Sequence, residues 1–192
     1  KLHGATVLSI AALPFESQPT RKKIAEAEIQ RLDHHSDVCV QLSLERLARQ
    51  ARDRGKDWSM GSEWVEDLID GLVRTLLSMG LINLDLMDLR TIVQHQGGST
   101  MLVGTGHHDQ LENLYNATIK APLAPMNVAG AKGCLLQIEG GMGLTIGQVD
   151  EIATALTSAV DSNAQVILGA RISPELEGTI RIVMLLSGIN ED

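Results

Sequence analysis

Asn83, Asp85 and Asp88 follow one another with the spacing N-x-D-x-x-D, where the pattern of one helix stops and the pattern of another begins. A carboxylate at a helix N-terminus is stabilised as the anion, so it suits orienting a water molecule or a cation better than abstracting a proton. The same positions also suit ordinary caps, with Asp85 as the N-cap and Asp88 as the third helical residue. The residues alone leave both interpretations open.

The helices that must position this group are predicted from hydrophobic periodicity. A long helix is expected over Ser59–Met79, ending at Gly80, because its apolar residues form a wide stripe along one side. A second helix is expected over Leu86–Gln96. The stripe of the long helix consists of Trp64, Val65, Leu68, Ile69, Leu72, Val73, Leu76 and Leu77.

The rest of the chain alternates strand and helix patterns, which predicts an α/β fold. Strands are expected over Ala5–Ala12, Asp37–Leu42, Ser99–Gly104, Gly133–Glu139, Gln165–Ala170 and Thr179–Ser187. Further helices are expected over Thr20–Leu32, Leu44–Arg54, His107–Ala121 and Thr145–Val160. The last strand has apolar residues on both faces, so we expect it in the centre of a sheet.

Composition excludes several classes of protein. The formal net charge of −8 argues against a nucleic-acid surface, since phosphate binding needs clustered lysines and arginines. Apolar residues make up 44% of the 192 residues, with no run long enough to insert into a membrane. Cys39 and Cys134 lie in apolar, strand-like runs and are expected to be reduced core residues of a cytoplasmic protein.

Two stretches of the sequence resemble one protein family. Gly80–Arg90 is similar to the synergy loop of FtsZ, the tubulin-like cell-division GTPase, typically written G-L-[IM]-N-x-D-[FL]-x-D-[VL]-[RK]. Asn163–Val183 resembles the end of the same family's C-terminal domain, and its archaeal members most closely. The two stretches occur in the family's order. The family's phosphate loop, G-G-G-T-G-[TS]-G, does not occur here, so the chain resembles the second half of the protein.

The resemblance implies an α/β fold in three parts. Residues 1–58 would complete the tubulin/FtsZ nucleotide-binding domain. Residues 59–98 would form a long central helix, the synergy loop and the following helix. Residues 99–192 would form the C-terminal domain, with a four-stranded mixed sheet covered by helices.

In function, the resemblance implies a cytoplasmic cell-division GTPase that polymerises head-to-tail. The loop of one subunit would enter the nucleotide pocket of the next, where Asn83, Asp85 and Asp88 would position the water that attacks the γ-phosphate. Partners would be further copies or a paralogue, with membrane-tethering adaptor proteins as additional candidates. This chain alone is expected to be inactive, because the phosphate loop is not part of it.

The residues that would contact GTP or GDP depart from the family pattern. In P-F-x-x-E-G-x-x-R, Gln18 replaces the ribose-contacting Glu and Lys22 replaces the Arg, with Arg21 as a neighbouring substitute. Trp58 keeps an aromatic platform for guanine, whereas Ser62 replaces the Asp or Asn that reads its edge. Most of the nucleotide, and Mg²⁺, would be bound outside this chain. The departures motivate an alternative, a non-hydrolysing paralogue that caps or regulates filaments of a true GTPase.

Other features are assigned no site. The glycine-rich turn Glu139–Gly143 lacks the Lys-Ser/Thr of a phosphate loop and is expected to be an ordinary turn between strand and helix. The pairs His34-His35 and His107-His108 would point to different sides of helices, and no cysteine or carboxylate completes a zinc spacing. No metal site is therefore expected. An unrelated α/β binding domain remains as a third interpretation.

Overall fold

The strands of the chain form two sheets, with helices between them along the sequence. The computed structural model describes residues 4–53, 69–70, 73–74, 80–119 and 127–189. The strands are β1 (Leu8–Leu13), β2 (Val38–Ser43), β3 (Gly98–His107), β4 (Gly133–Gly140), β5 (Gln165–Ile172) and β6 (Thr179–Ile189). The helices are α1 (Pro19–His35), α2 (Leu44–Asp53), α3 (Leu86–Val93), α4 (Leu111–Ile119) and α5 (Ile146–Thr157).

The first sheet is the parallel pair β1–β2, joined by α1. A helical crossover is the usual connection between parallel neighbours, because the chain must return to the same end of the sheet. Pro19 suits the first turn of α1, where its missing N–H would have no helical partner. The helix ends at Ser36, whose hydroxyl donates to the Leu32 carbonyl and whose N–H donates to the Asp33 carbonyl.

The second sheet has four strands in the order β3–β6–β4–β5. β6 is antiparallel to both of its neighbours, while β4 and β5 are parallel, so the sheet is mixed. β6 is buried on both faces, which explains why its sequence is apolar at consecutive positions. The expectations of a four-stranded mixed sheet and of a central last strand are both confirmed.

Helices cover both faces of this second sheet. On one face, Leu114 of α4 and Ile152 of α5 join Ile182 of β6 in a buried apolar cluster. On the other face, Leu89 of α3 and Leu42 of β2 belong to a second cluster, which extends between the two sheets. α3 therefore lies in the layer that connects the first sheet to the second.

Three strands of the second sheet end at one edge. Gly140 of β4 lies opposite Ile172 of β5 in a parallel pairing, and it also lies opposite Ile180 near the start of β6. β3 ends at the same edge, because its last residue, His107, pairs with Thr179. We call this the carboxyl edge, formed by His107, Gly140 and Ile172. Residues that directly follow these three strands therefore lie at this edge of the sheet.

Most of the predicted elements are confirmed, with ends that differ by a few residues. The exception is the helix predicted over His107–Ala121, which begins only at Leu111. The prediction that His107 opens a helix is wrong, because that residue is still held in β3 by pairing with β6. Of the long helix predicted over Ser59–Met79, residues 69–70 and 73–74 are helical, and the others lie outside the described residues. Within the described ranges, no helix has the length and apolarity needed to cross a membrane.

Candidate functional site

The loop that carries Asn83, Asp85 and Asp88 is attached to the free edge of β5. Ile82 and Ala170 form an antiparallel bridge in which each backbone N–H donates to the other's carbonyl, with both N···O distances 3.0 Å. Ala170 lies two residues before the end of β5. The bridge therefore holds the loop against the second sheet, close to the carboxyl edge.

Two glycines permit this close approach. A Cβ on Gly80 would clash with the carbonyl oxygen of Ala170, so only glycine lets the two backbones approach this closely. A Cβ on Gly169 would lie 2.6 Å from the Leu84 side chain, which is buried with 6% of its surface exposed. Leu84 thus packs onto the bare backbone of β5 and anchors the middle of the loop.

Asp85 and Asp88 form a reciprocal capping box at the start of α3. Asp85 Oδ1 accepts from the N–H groups of Met87 (2.6 Å) and Asp88 (2.9 Å). Asp88 Oδ2 accepts from the N–H of Asp85 at 2.8 Å. The placement of Asp85 as N-cap and Asp88 as third helical residue is confirmed.

The capping contacts occupy only one oxygen of each carboxylate. Among the described residues, Asp85 Oδ2 and Asp88 Oδ1 have no hydrogen-bond partner. Asp85 is exposed and Asp88 is half-buried. The capping and water-orienting interpretations are therefore compatible: the cap fixes each carboxylate, and its second oxygen is left to bind a water molecule or a cation.

The side chain of Asn83 makes a hydrogen bond within the loop. Its Oδ1 accepts from the N–H of Gly80 at 2.6 Å, while the residue itself is exposed. Its Nδ2 group is a neutral donor on the same loop as the two carboxylates. The surrounding surface is unusually apolar, since Leu81, Leu86 and Met87 are 46%, 58% and 61% exposed. Apolar side chains around a polar centre are typical of a surface that docks a partner.

The expected nucleotide contacts are brought together only in part. Gln18 is the N-cap of α1 but makes no capping hydrogen bond with its side chain, and it lines a cleft of about 440 Å³ together with Arg21. An amide and a guanidinium suit hydroxyl and phosphate oxygens, so this pair fits the edge of a nucleotide. Trp58 and Ser62 lie outside the described residues.

Lys22 does not join that cleft in the structure. Its Nζ donates to both carboxylate oxygens of Glu16, at 2.6 and 2.7 Å. The hydrogen bond to Glu16 raises the pKa of Lys22, since it favours the ammonium form. Arg21, named as the neighbouring substitute for the family's arginine, is therefore better placed than Lys22 to meet an anion.

A buried ion pair beneath the loop was not found from the sequence. Glu139 of β4 is 1% exposed, and its Oε1 lies 2.5 Å from Nη2 of Arg171 on β5. Its Oε2 lies 3.6 Å from Nη1 of Arg181 on β6. The available signal was a lone acid in a mostly apolar strand, with an arginine in each neighbouring strand. The ion pair links the three strands next to Ala170, where the loop is attached.

The glycine-rich turn after β4 is an ordinary connection to α5. Thr145 Oγ1 accepts from the N–H of Gln148 at 3.2 Å, and Gln148 Oε1 accepts from the N–H of Thr145 at 3.1 Å. This second capping box satisfies donors that an anion would need at the helix N-terminus.

The two histidine pairs differ in their surroundings. His34 and His35 lie exposed at the end of α1, as expected. His107 is the last residue of β3 and His108 follows it, so neither lies in a helix, and the carboxylate of Asp109 is close to both rings. The expectation that His107 and His108 point to different sides of a helix is wrong, because His107 is the last residue of β3 and the two rings stack with their centroids 4.6 Å apart.

Comparisons with known proteins agree on one family. Residues 97–190 match the family model described as "FtsZ family, C-terminal domain". "Cell division protein FtsZ 2" of Methanocaldococcus jannaschii is 29% identical over 98% of this chain and 51% of the relative. "Cell division protein FtsZ 2" of Haloferax volcanii is 31% identical over 98% of this chain and 48% of the relative. The chain thus spans about half the length of these curated relatives.

Solved structures give the same result. The structure titled "FtsZ dimer, empty (M. jannaschii)" superposes with a TM-score of 0.86 at 26% identity, covering 96% of this chain and 55% of that one. The "CetZ2 from Haloferax volcanii - GTPgS bound protofilament" has a TM-score of 0.74 at 16% identity, covering 100% and 58%, and supports the fold alone. On the loop, the mixed sheet and these matches together, the chain belongs to the FtsZ family, and residues 97–190 are its C-terminal domain.

Proposed function

We propose that this chain is the part of an FtsZ-like cell-division GTPase that activates GTP hydrolysis in the neighbouring subunit of a head-to-tail filament. The observation that carries the proposal is the anchored loop, in which Asp85 and Asp88 are fixed by a capping box and each keeps an oxygen for a ligand. When bound, GTP would supply the phosphoryl group, and its Mg²⁺ would neutralise negative charge on the phosphates.

The proposed chemical role of the loop is to orient the attacking water molecule. Phosphoryl transfer requires little proton abstraction early in the reaction and mostly requires positioning of the attacking water. Asp85 Oδ2 and Asp88 Oδ1 would accept hydrogen bonds from that water, and Asn83 Nδ2 would donate to a phosphate or water oxygen. The bridge between Ile82 and Ala170 supports this role, because a positioning group must itself be held rigidly.

Exposed apolar side chains at the loop would contribute the free energy of docking. Leu81, Leu86 and Met87 surround the loop and are largely exposed in the isolated chain. Burying them against a second subunit would contribute roughly 1.5–3 kcal/mol for each fully buried side chain, before the cost of association. A loop that enters a different surface on the next copy makes a heterologous contact, which repeats into a filament. The two structural relatives, a dimer and a protofilament, agree with self-association in those proteins.

This chain would supply only part of a nucleotide site. The proposed contacts are Gln18 and Arg21 in the described cleft, together with Trp58 and Ser62. The phosphate-binding loop would lie elsewhere in the complete protein. We therefore expect the 192-residue chain alone neither to hydrolyse GTP nor to bind it tightly.

The proposal is tested by measuring GTP turnover of the complete protein against its concentration. Because each site needs a neighbour's carboxylates, turnover per subunit should rise steeply as subunits assemble. Sedimentation in the same samples reports the assembled fraction. A specific activity that stays constant down to high dilution, where sedimentation shows only monomers, would contradict the proposal. Assembly without any turnover would instead support the non-hydrolysing paralogue.

A further inference from the structure

A cluster of metal-binding side chains lies at the carboxyl edge, where β3 ends. His107, His108 and Asp109 each offer one ligand atom, and these atoms all lie within 4.8 Å of one another. Within the described ranges, no other group of three such residues meets this condition. We propose that these three residues form a binding site for a divalent transition-metal ion of the Zn²⁺ class.

The distances suit a small coordination sphere. His107 Nδ1 lies 3.4 Å from Asp109 Oδ2, and His108 Nδ1 lies 2.7 Å from Asp109 Oδ1. Two ligands of a tetrahedral Zn²⁺, each about 2.0–2.1 Å from the ion, are separated by roughly 3.3–3.4 Å. The first pair already has this separation, and the second needs only a small rotation of an exposed side chain.

The Nδ1 atom of His107 carries a lone pair that a metal ion can use. It accepts a long hydrogen bond from the backbone N–H of Asp109 at 3.4 Å, which requires a lone pair on that nitrogen. Asp109 Oδ2 lies 3.4 Å from the same nitrogen. A cation bound to Nδ1 would displace the long hydrogen bond and gain a second ligand in the carboxylate.

The backbone around the cluster is well supported. His107 is still paired with Thr179 in the sheet, and the His108 N–H donates to the Gly178 carbonyl at 3.1 Å. Gly178 has a φ of +71° and approaches the His107 ring closely enough that a Cβ there would lie 3.4 Å from Nε2. The two imidazole rings stack with their centroids 4.6 Å apart. The ligands are thus held side by side before any metal binds.

The type of ligand decides the type of metal. Imidazole nitrogen suits Zn²⁺, Cu²⁺ and Ni²⁺, whereas Mg²⁺ and Ca²⁺ prefer sets made only of oxygen atoms. Three protein ligands leave at least one position for water, because the site is open to solvent.

The test is calorimetric titration of the untagged 192-residue chain with ZnCl₂, in the presence of excess MgCl₂. We expect one Zn²⁺ per chain at this site. His107→Asn, His108→Asn and Asp109→Asn should each weaken binding by at least about tenfold, since each removes a ligand. The double variant His34→Asn/His35→Asn is the matched control.

That control removes a second pair of adjacent histidines, with ring centroids 5.3 Å apart, and should leave binding unchanged. Circular dichroism and thermal melts verify that every variant is folded, and two of the three ligands are exposed enough that folding should be retained. The proposal is wrong if Zn²⁺ does not bind at millimolar concentration. It is equally wrong if binding survives in all three ligand variants, or if the control pair abolishes it.

Discussion

Asp85 allows helix capping to be separated from activation of hydrolysis. Its Oδ1 accepts two backbone N–H groups at the start of α3, at 2.6 and 2.9 Å, while its Oδ2 is the atom proposed to orient water. Serine is also a good N-cap, since its hydroxyl accepts the same backbone donor, but it has no carboxylate. Asp85→Ser therefore keeps the cap and removes the second oxygen, whereas Asp85→Ala removes both.

The two variants should differ in their free energy of unfolding but not in their turnover. Loss of the cap in Asp85→Ala should lower the free energy of unfolding by about 0.5–2 kcal/mol, and Asp85→Ser should cost only the charge at the helix end, about 0.3–1 kcal/mol. The helix should persist in both variants, because Leu89, Ile92 and Val93 remain buried. Turnover of the assembled protein should fall by about 10²–10³-fold in both, the usual cost of removing an electrostatic contact to the transition state.

The assay combines urea unfolding of the 192-residue chain with GTP turnover of the complete protein at equal assembled fraction. The account requires that Asp85→Ala be less stable than Asp85→Ser in urea. It also requires that both variants lose turnover to the same extent. If Asp85→Ser keeps wild-type turnover in assembled filaments, the carboxylate is only a cap and the reasoning fails.

Four further outcomes follow from the packing around the loop and in the core. Gly169→Ala should lower the free energy of unfolding by about 1–3 kcal/mol, because the new Cβ overlaps both Gln137 Oε1 and the Leu84 side chain; an unchanged urea midpoint would show that these side chains are not packed on β5 as described. Glu139→Ala should cost about 3–5 kcal/mol by leaving Arg171 without its buried partner, and a loss below 1 kcal/mol in the same assay would be inconsistent with the buried pair. Burial raises the pKa of Cys134 to about 12, so the thiol should resist iodoacetamide near pH 8 in the folded chain and react after unfolding. Because the unfolded thiol ionises first, the free energy of unfolding should decrease as the pH rises above about 9; a free energy of unfolding that stays level between about pH 9 and 11 would contradict this.

Local patterns made the capping box predictable. Asp85 and Asp88 are three residues apart, and this spacing acts within a single helical turn, whatever surrounds it. The central position of β6 was predictable for a similar reason, since a strand that is apolar on both faces needs neighbours on both sides.

The anchoring of the loop depends on contacts between distant parts of the chain. Ile82 bonds to Ala170, and this pairing exists only because β5 is an edge strand whose backbone groups are free at that point. Sequence patterns describe single elements and do not specify which edge remains open. The ion pair of Glu139 and Arg171 has the same origin, since it needs the register of two strands.

The region of His107 shows how tertiary pairing overrides a local pattern. The sequence from His107 onward suits a helix, but pairing with Thr179 keeps His107 in β3, and the helix is delayed to Leu111. The difference matters for the proposed metal site, because a helix would have separated His107 from His108, whereas the strand end stacks their rings beside Asp109.

The most direct test of the central claim mixes two inactive variants of the complete protein. The first carries Asp88→Asn and still binds GTP; the second has a disabled nucleotide pocket and intact loop carboxylates. If the loop acts on the neighbour, equimolar filaments should recover turnover, up to roughly a quarter of the wild-type value, since one junction in four pairs a bound GTP with an intact loop under random assembly. If the mixture stays as inactive as either variant although both are incorporated into filaments, the carboxylates do not act across the junction.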